Sequence, residues 1–416
     1  MKQVLATGVA LSMALSMAPV TASAADKVDI NVIAAQYGQQ TADWWANFVT
    51  EFNEANPDIN LNVEVVSWND IYTVVNTRIA NGEAPDVLNI DVFADYQADD
   101  LLLPIQDVVS EETYSKMYDA FLAQSEVDGT VWAIPDLASA RAMYYNKDIL
   151  DAAGVEVPTT WDEFEEVLQK LSDAGIQPLT TGGSDKWGAT RLINAYAVRT
   201  AGNDIMTKAA DGEVPYTDEK LVAAADKIAE WAEKGYFGEG ITTVDMNTAG
   251  SMLMSGKAAI FYNGSWFTQN LTDDSQNPAG EDGIGFFNIP VADESISSAT
   301  SYSMNCGNIL ALDNDKYDEA TGWFLKYFME NIGNLAMEEQ GTVKGYTYDV
   351  AADDMDNYTK LVLDEIDKST EGFAWWEAKM PSEISKTAQE NVQPLLNGEM
   401  TGEEYMQSIQ DVYDMQ

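Results

Sequence analysis

Apolar residues along the chain fall into two rhythms that take turns. The short continuous run Ile30–Ala34 predicts a buried strand, and Thr41 then caps a helix in which Trp44, Trp45, Phe48, Val49 and Phe52 return at helical spacing until Asn56-Pro57 stops it. Ile59, Leu61, Val63 and Val65 alternate with polar residues, the two-residue period of a half-buried strand. A second helix puts Ile71, Val74, Val75 and Ile79 on one face and ends at Asn81-Gly82, before the strand-like run Pro85-Asp86-Val87-Leu88-Asn89-Ile90. Strand, helix, strand, helix, strand predicts an α/β fold, a parallel sheet with helices on its faces.

The alternation resumes after Trp132-Ala133-Ile134-Pro135. Met143–Tyr145 reads as extended, and the capping box Thr160-Trp161-Asp162-Glu163 opens a helix that buries Phe164, Val167, Leu168 and Leu171 before Gly175. A helix around Leu221–Trp231, a strand over Ala258–Tyr262 and a single strand over Ser303–Leu312 follow. Ala320, Trp323, Phe324, Tyr327 and Phe328 mark a buried helix, and Thr401-Gly402-Glu403-Glu404 caps a last one carrying Tyr405, Ile409 and Val412. No Pro- or Ser-rich linker and no short-period repeat announces a domain border.

Length and charge narrow the function. A chain of 416 residues predicts two or three domains with sizeable cores. Its 22 basic against 69 acidic residues, a net charge of −47, make nucleic acid and anionic membrane surfaces poor partners. The acids are scattered along the chain, which fits a surface adapted to salty water, while attraction of a cationic ligand is the other reading. The count of zero His removes Ser/His and Cys/His catalysis and His-ligated zinc together. Lys2, the apolar run Val4–Val20 and the triplet Ala22-Ser23-Ala24 read as a cleavable signal over residues 1–24, so a periplasmic product is expected. No Cys adjoins that cleavage site, so no lipid anchor is expected, and no later apolar run reaches the roughly 18 residues of a membrane span. Cys306 is the single cysteine; it excludes an intrachain disulfide and reads as a small buried apolar residue.

Four segments in this order resemble the family 1 extracellular solute-binding proteins, the carbohydrate-capturing subunits of bacterial ABC importers. They are Asn81-Gly82-Glu83-Ala84-Pro85-Asp86-Val87; Tyr144-Tyr145-Asn146-Lys147-Asp148 continuing through Gly154 and Pro158 to Thr160-Trp161-Asp162-Glu163-Phe164; Met254-Ser255-Gly256-Lys257-Ala258-Ala259-Ile260 with Asn263-Gly264-Ser265-Trp266; and Asn397-Gly398-Glu399-Met400-Thr401. The resemblance implies a two-lobed type II periplasmic-binding-protein fold with a multi-strand hinge. Residues 25–136 with 292–332 would form one lobe and 137–291 with 333–416 the other. It also implies no enzymatic activity and no cofactor, a small carbohydrate held between the lobes, permease subunits as partners, and a monomer. One departure is the loop after Gln340-Gly341, where many members carry a Pro and this chain reads Thr342-Val343-Lys344-Gly345-Tyr346.

A sugar offers hydroxyls and flat C–H faces, so its receptor needs short polar side chains and aromatic plates beyond the carboxyl ends of strands. Gln36, Tyr37 and Gln39 follow the first strand, Trp68 and Asn69 the second, and Asn89 and Asp91 the third. Ser139 and Arg141 precede the Tyr144 strand, and Asn305 and Gly307 lie beside the returning one. The family pattern places stacking aromatics at Trp266, near Trp187, and at Trp375-Trp376, of which one faces the cleft. Each has a bland alternative: core packing for the tryptophans, which suits Trp44 and Trp45 better still, a helix cap for Asp91 and an ion pair for Arg141.

Three rivals stay open at this level. An exported glycoside hydrolase would also combine tryptophans with paired carboxylates. The same fold holding a cation such as a polyamine would need two or three carboxylates in its cleft. A calcium adhesion protein is weakly supported, since Asp353-Asp354-Met355-Asp356 lacks the Asp-x-Asp-x-Asp-Gly loop.

Overall fold

The fold is given by a computed structural model that describes residues 27–36, 40–68, 70–90, 96, 101–118, 121–122, 125–136, 139–305, 309–341, 344–351 and 355–415. The expected signal and Cys306 lie outside the described residues. Among those described, two mixed sheets carry the architecture. The first runs in the order Ile59–Ser67, Val28–Gln36, Val87–Ile90, Ile309–Leu312, Ala133–Pro135. The second runs Glu371–Phe373, Ser301–Asn305, Ser139–Asn146, Ala258–Gly264, Gln177–Thr180, with Ile284–Phe287 also paired to the Ser139–Asn146 strand.

Each sheet is a layer between helices because its strands present apolar groups to both faces. In Val28–Gln36, Ile30, Val32 and Ala34 pack with Trp45, Phe48 and Phe52 of the helix Ala42–Ala55. Ile33 and Ala35 turn the other way, toward Ile71 and Val75 of the helix Ile71–Ala80. Thr41 caps the first of these helices through the Trp44 amide, as its sequence predicts. In the second sheet the helix Trp161–Asp173 is opened by the expected capping box and buries the expected stripe of Phe164, Val167, Leu168 and Leu171. Trp161 lies parallel to Trp231, with 5.7 Å between ring centroids, in the same core.

One element departs from expectation. The apparent single strand Ser303–Leu312 is two strands in different sheets: Ser301–Asn305 pairs antiparallel with Ser139–Asn146, and Ile309–Leu312 pairs antiparallel with Val87–Ile90. Period-two patterning is identical in both sheets, so it carries no mark of the residue at which the chain changes sheets.

That crossing orients the molecule. In the first sheet the parallel strands end at Gln36, Ser67 and Ile90, Ile309 starts opposite Ile90, and Pro135 ends opposite Ile309. In the second, Gly264 ends opposite Arg141, and Asn305 ends opposite Ser139. The crossings from 136 to 139 and from 305 to 309 therefore join the carboxyl edge of one sheet to that of the other. An apolar cluster spans this hinge, taking Ile33, Leu88 and Ile309 from the first sheet and Ala140, Tyr302 and Met304 from the second. Farther out, Tyr72 Oη and Ser382 Oγ hydrogen-bond across the two halves.

Candidate functional site

Open α/β sheets take their ligands beyond the carboxyl ends of the strands, and the two facing edges collect most of the described site residues. Tyr37, Gln39, Asn69, Asp91 and Gly307 lie outside the described residues. Gln36 and Trp68 stand exposed at the rim of the first sheet, Trp68 at 37 %. Asn89 is fully buried, its Nδ2 donating to Asp136 Oδ2 at 2.8 Å. Ser139, Arg141, Asn305, Trp187, Trp266 and Trp375 come together at the edge of the second sheet.

The first edge is occupied by a buried polar network that sequence patterning did not single out. Gln40 Nε2 donates to Asp136 Oδ1 at 3.0 Å, and Lys344 Nζ donates to Gln40 Oε1 at 2.5 Å. Tyr346 Oη donates to the Pro135 carbonyl at 2.7 Å and holds the Lys344 loop in place. Burial pushes the Lys344 ammonium down to about 8, while the Asp136 charge opposes that shift. The one signal in the sequence was the Lys344 segment itself, where the chain departs from the familiar pattern.

At the second edge the backbone sets up two tryptophans. Gly264 ends its strand, and a Cβ there would meet the Trp266 ring at 2.0 Å, so glycine is what lets the indole fold back over the strand end. Trp187 opens the helix Trp187–Ala201 directly after Lys186, a non-glycine residue held at φ 66°. Such a backbone persists only where its surroundings fix it. Here the Asp185 carbonyl accepts from the Trp187 amide at 2.6 Å, and its carboxylate accepts from the Met246 amide at 2.6 Å.

Arg141 fills the space between these rings. Its guanidinium carbon lies 5.0 Å from the Trp187 centroid and 4.7 Å from that of Trp266, with the two indoles 6.3 Å apart. One helical turn after Trp187, Arg191 Nε pairs with Glu377 Oε2 at 2.9 Å and its guanidinium lies 4.5 Å from the Trp375 centroid. Thr190 Oγ1 donates to the other Glu377 oxygen at 2.8 Å. Burial first, then the Arg191 charge, lowers the Arg141 guanidinium from its ordinary value to about 9. Trp376 is fully buried in the main apolar core beside Tyr405, unlike its neighbour Trp375 on Arg191. Trp45 is core too, parallel to Phe328, whereas Trp44 is half-buried and donates to Glu339 at 2.6 Å. Arg191 and Glu377 were missed by sequence reasoning; the four-residue spacing of Trp187 and Arg191 along one helix was the available clue.

No helix among the described residues is long and apolar enough to cross a membrane, and no group of potential metal ligands occurs among them. A sequence profile of bacterial extracellular solute-binding proteins matches residues 37–333. A Brucella abortus (strain 2308) binding protein is 26 % identical over 259 residues, 62 % of either chain. The multiple sugar-binding protein of Streptococcus mutans is 25 % identical over 248 residues, 58 % of either chain. These matched stretches thus span about 60 % of the length of the curated relatives. A solved chitin oligosaccharide binding protein superposes with a TM-score of 0.82 at 22 % identity, covering 94 % of this chain and 99 % of that one.

Proposed function

The chain belongs to the bacterial extracellular solute-binding protein family, and from that premise we propose that it captures a mono- or oligosaccharide between two lobes and delivers it to the permease of an ABC importer. The observation that carries this reading is the facing pair of carboxyl edges, one of which presents the partly exposed indoles of Trp187 and Trp266 beside buried polar side chains. Stacking faces together with hydrogen-bonding groups are what a sugar ring requires. The sugar-binding relative in Streptococcus mutans supports the same class of ligand.

The lobes are proposed as residues 25–136 with 292–332 and residues 137–291 with 333–416. Sheet and core membership would shift Ser301–Asn305 to the second of them and Lys344–Tyr346 to the first. The protein is proposed to act in the periplasm after removal of residues 1–24, without a lipid anchor, as a monomer and without catalysis. The second edge carries two arginines against one glutamate, which disfavours a polyamine or other cation.

Thermal unfolding over a panel of mono-, di- and oligosaccharides tests the proposal. A binding sugar at 100 times its dissociation constant adds about 2.7 kcal/mol of stability. The same incubations read out for new reducing ends separate capture from hydrolysis, since release of product would refute it.

A further inference from the structure

We propose that Arg141 makes this a receptor for acidic carbohydrates, sugars carrying a carboxylate of the uronic-acid type, in preference to their neutral counterparts. The inference rests on the sugar-capture reading and specifies its ligand class.

Three arginines lie buried around the second sheet, and two of them have oxygen partners there. Arg199 donates to the Ser297 hydroxyl at 2.8 Å and to the carbonyls of Ser298, Ile289 and Ser301 at 2.7, 2.8 and 3.0 Å. Arg191 has the Glu377 carboxylate. Arg141, 3 % exposed, has neither arrangement: its Nε and Nη1 find no hydrogen-bond partner, and no carboxylate lies within ion-pair distance of it, among the described residues. Two aromatic faces flank its guanidinium.

A buried guanidinium without an acceptor is costly, and ring faces recover only part of that cost. The hydroxyl of Ser139, on the same strand, is also buried without a partner, while Ser303, which pairs with Arg141 in register, has the Tyr262 hydroxyl beside it. These groups gather at the carboxyl edge, beside indoles that keep part of their surface open. The Arg191 charge works against that of Arg141 and the Glu377 charge works for it, so two guanidiniums share one carboxylate among the described residues. A planar carboxylate accepts two parallel bonds from a guanidinium, a geometry that a sugar hydroxyl cannot reproduce. The flanking indoles supply the surface against which a ring, rather than a bare carboxylate, is held.

Isothermal titration of the full protein with digalacturonate, galactobiose, glucuronate, glucose and citrate provides the test, repeated on Arg141→Gln. Expected are uronates binding about tenfold or more tighter than their neutral partners, and loss of that preference in Arg141→Gln. The wild-type comparison stands even if the variant fails to fold. Neutral sugars binding as tightly as the uronates overturns the inference and leaves sugar capture standing. Citrate binding with no sugar binding overturns sugar capture itself, and no heat from any of the five overturns both.

Discussion

The two facing edges bury the same chemical types to opposite ends. At the first, Lys344, Gln40, Asp136 and Asn89 form a hydrogen-bonded chain in which the Asp136 charge opposes the desolvation of Lys344. At the second, Arg141 is as deeply buried yet lies against two indole faces with no carboxylate in ion-pair distance among the described residues. A hydrogen-bonded network holds a loop against a sheet, whereas a buried donor without an acceptor holds binding capacity in reserve. Burial of a charge thus says little until its partners have been counted.

The sharpest way to break this contrast is to remove one member from each edge and measure unfolding in urea. Asp136→Ala is expected to cost about 3–5 kcal/mol, because it leaves Lys344 buried without its counter-charge. Arg141→Gln discards an uncompensated desolvation along with its ring contacts, so about 1 kcal/mol or less is expected. Equal losses for the two would abolish the distinction.

A second measurement sharpens the ligand side. Trp266→Ala is expected to weaken binding of the captured sugar at least about tenfold while far-UV circular dichroism stays unchanged. Unaltered affinity would assign that indole to packing alone.

The smallest effect concerns pH. Lys344 titrates near 8 in the folded chain against an ordinary value of 10.5. Between those values the unfolded chain holds more protons than the folded one, so this residue makes stability rise as pH climbs from about 8 to about 10.5. Buried tyrosines such as Tyr144 and Tyr405, held well above their usual value, pull the other way beyond about 10. The difference between the wild type and Lys344→Met isolates the lysine, and a flat difference would mean that its ammonium is not strained.

Much of this molecule was legible in one dimension. The Thr41 and Thr160 caps, the Phe164–Leu171 stripe and the alternating strands of the first sheet are local patterns, set by backbone periodicity and by side chains that bond a few residues away. The absence of histidine and the resemblance to solute-binding proteins were equally available from the chain alone. Gln40, Asp136 and Lys344, by contrast, are separated by as many as 304 positions, and Arg141 reaches its indoles across strands and helices far apart in sequence. Whether a buried polar residue is satisfied depends on partners that long-range folding delivers, and so the split of Ser303–Leu312 between sheets and the opposite fates of Lys344 and Arg141 were decided only in three dimensions.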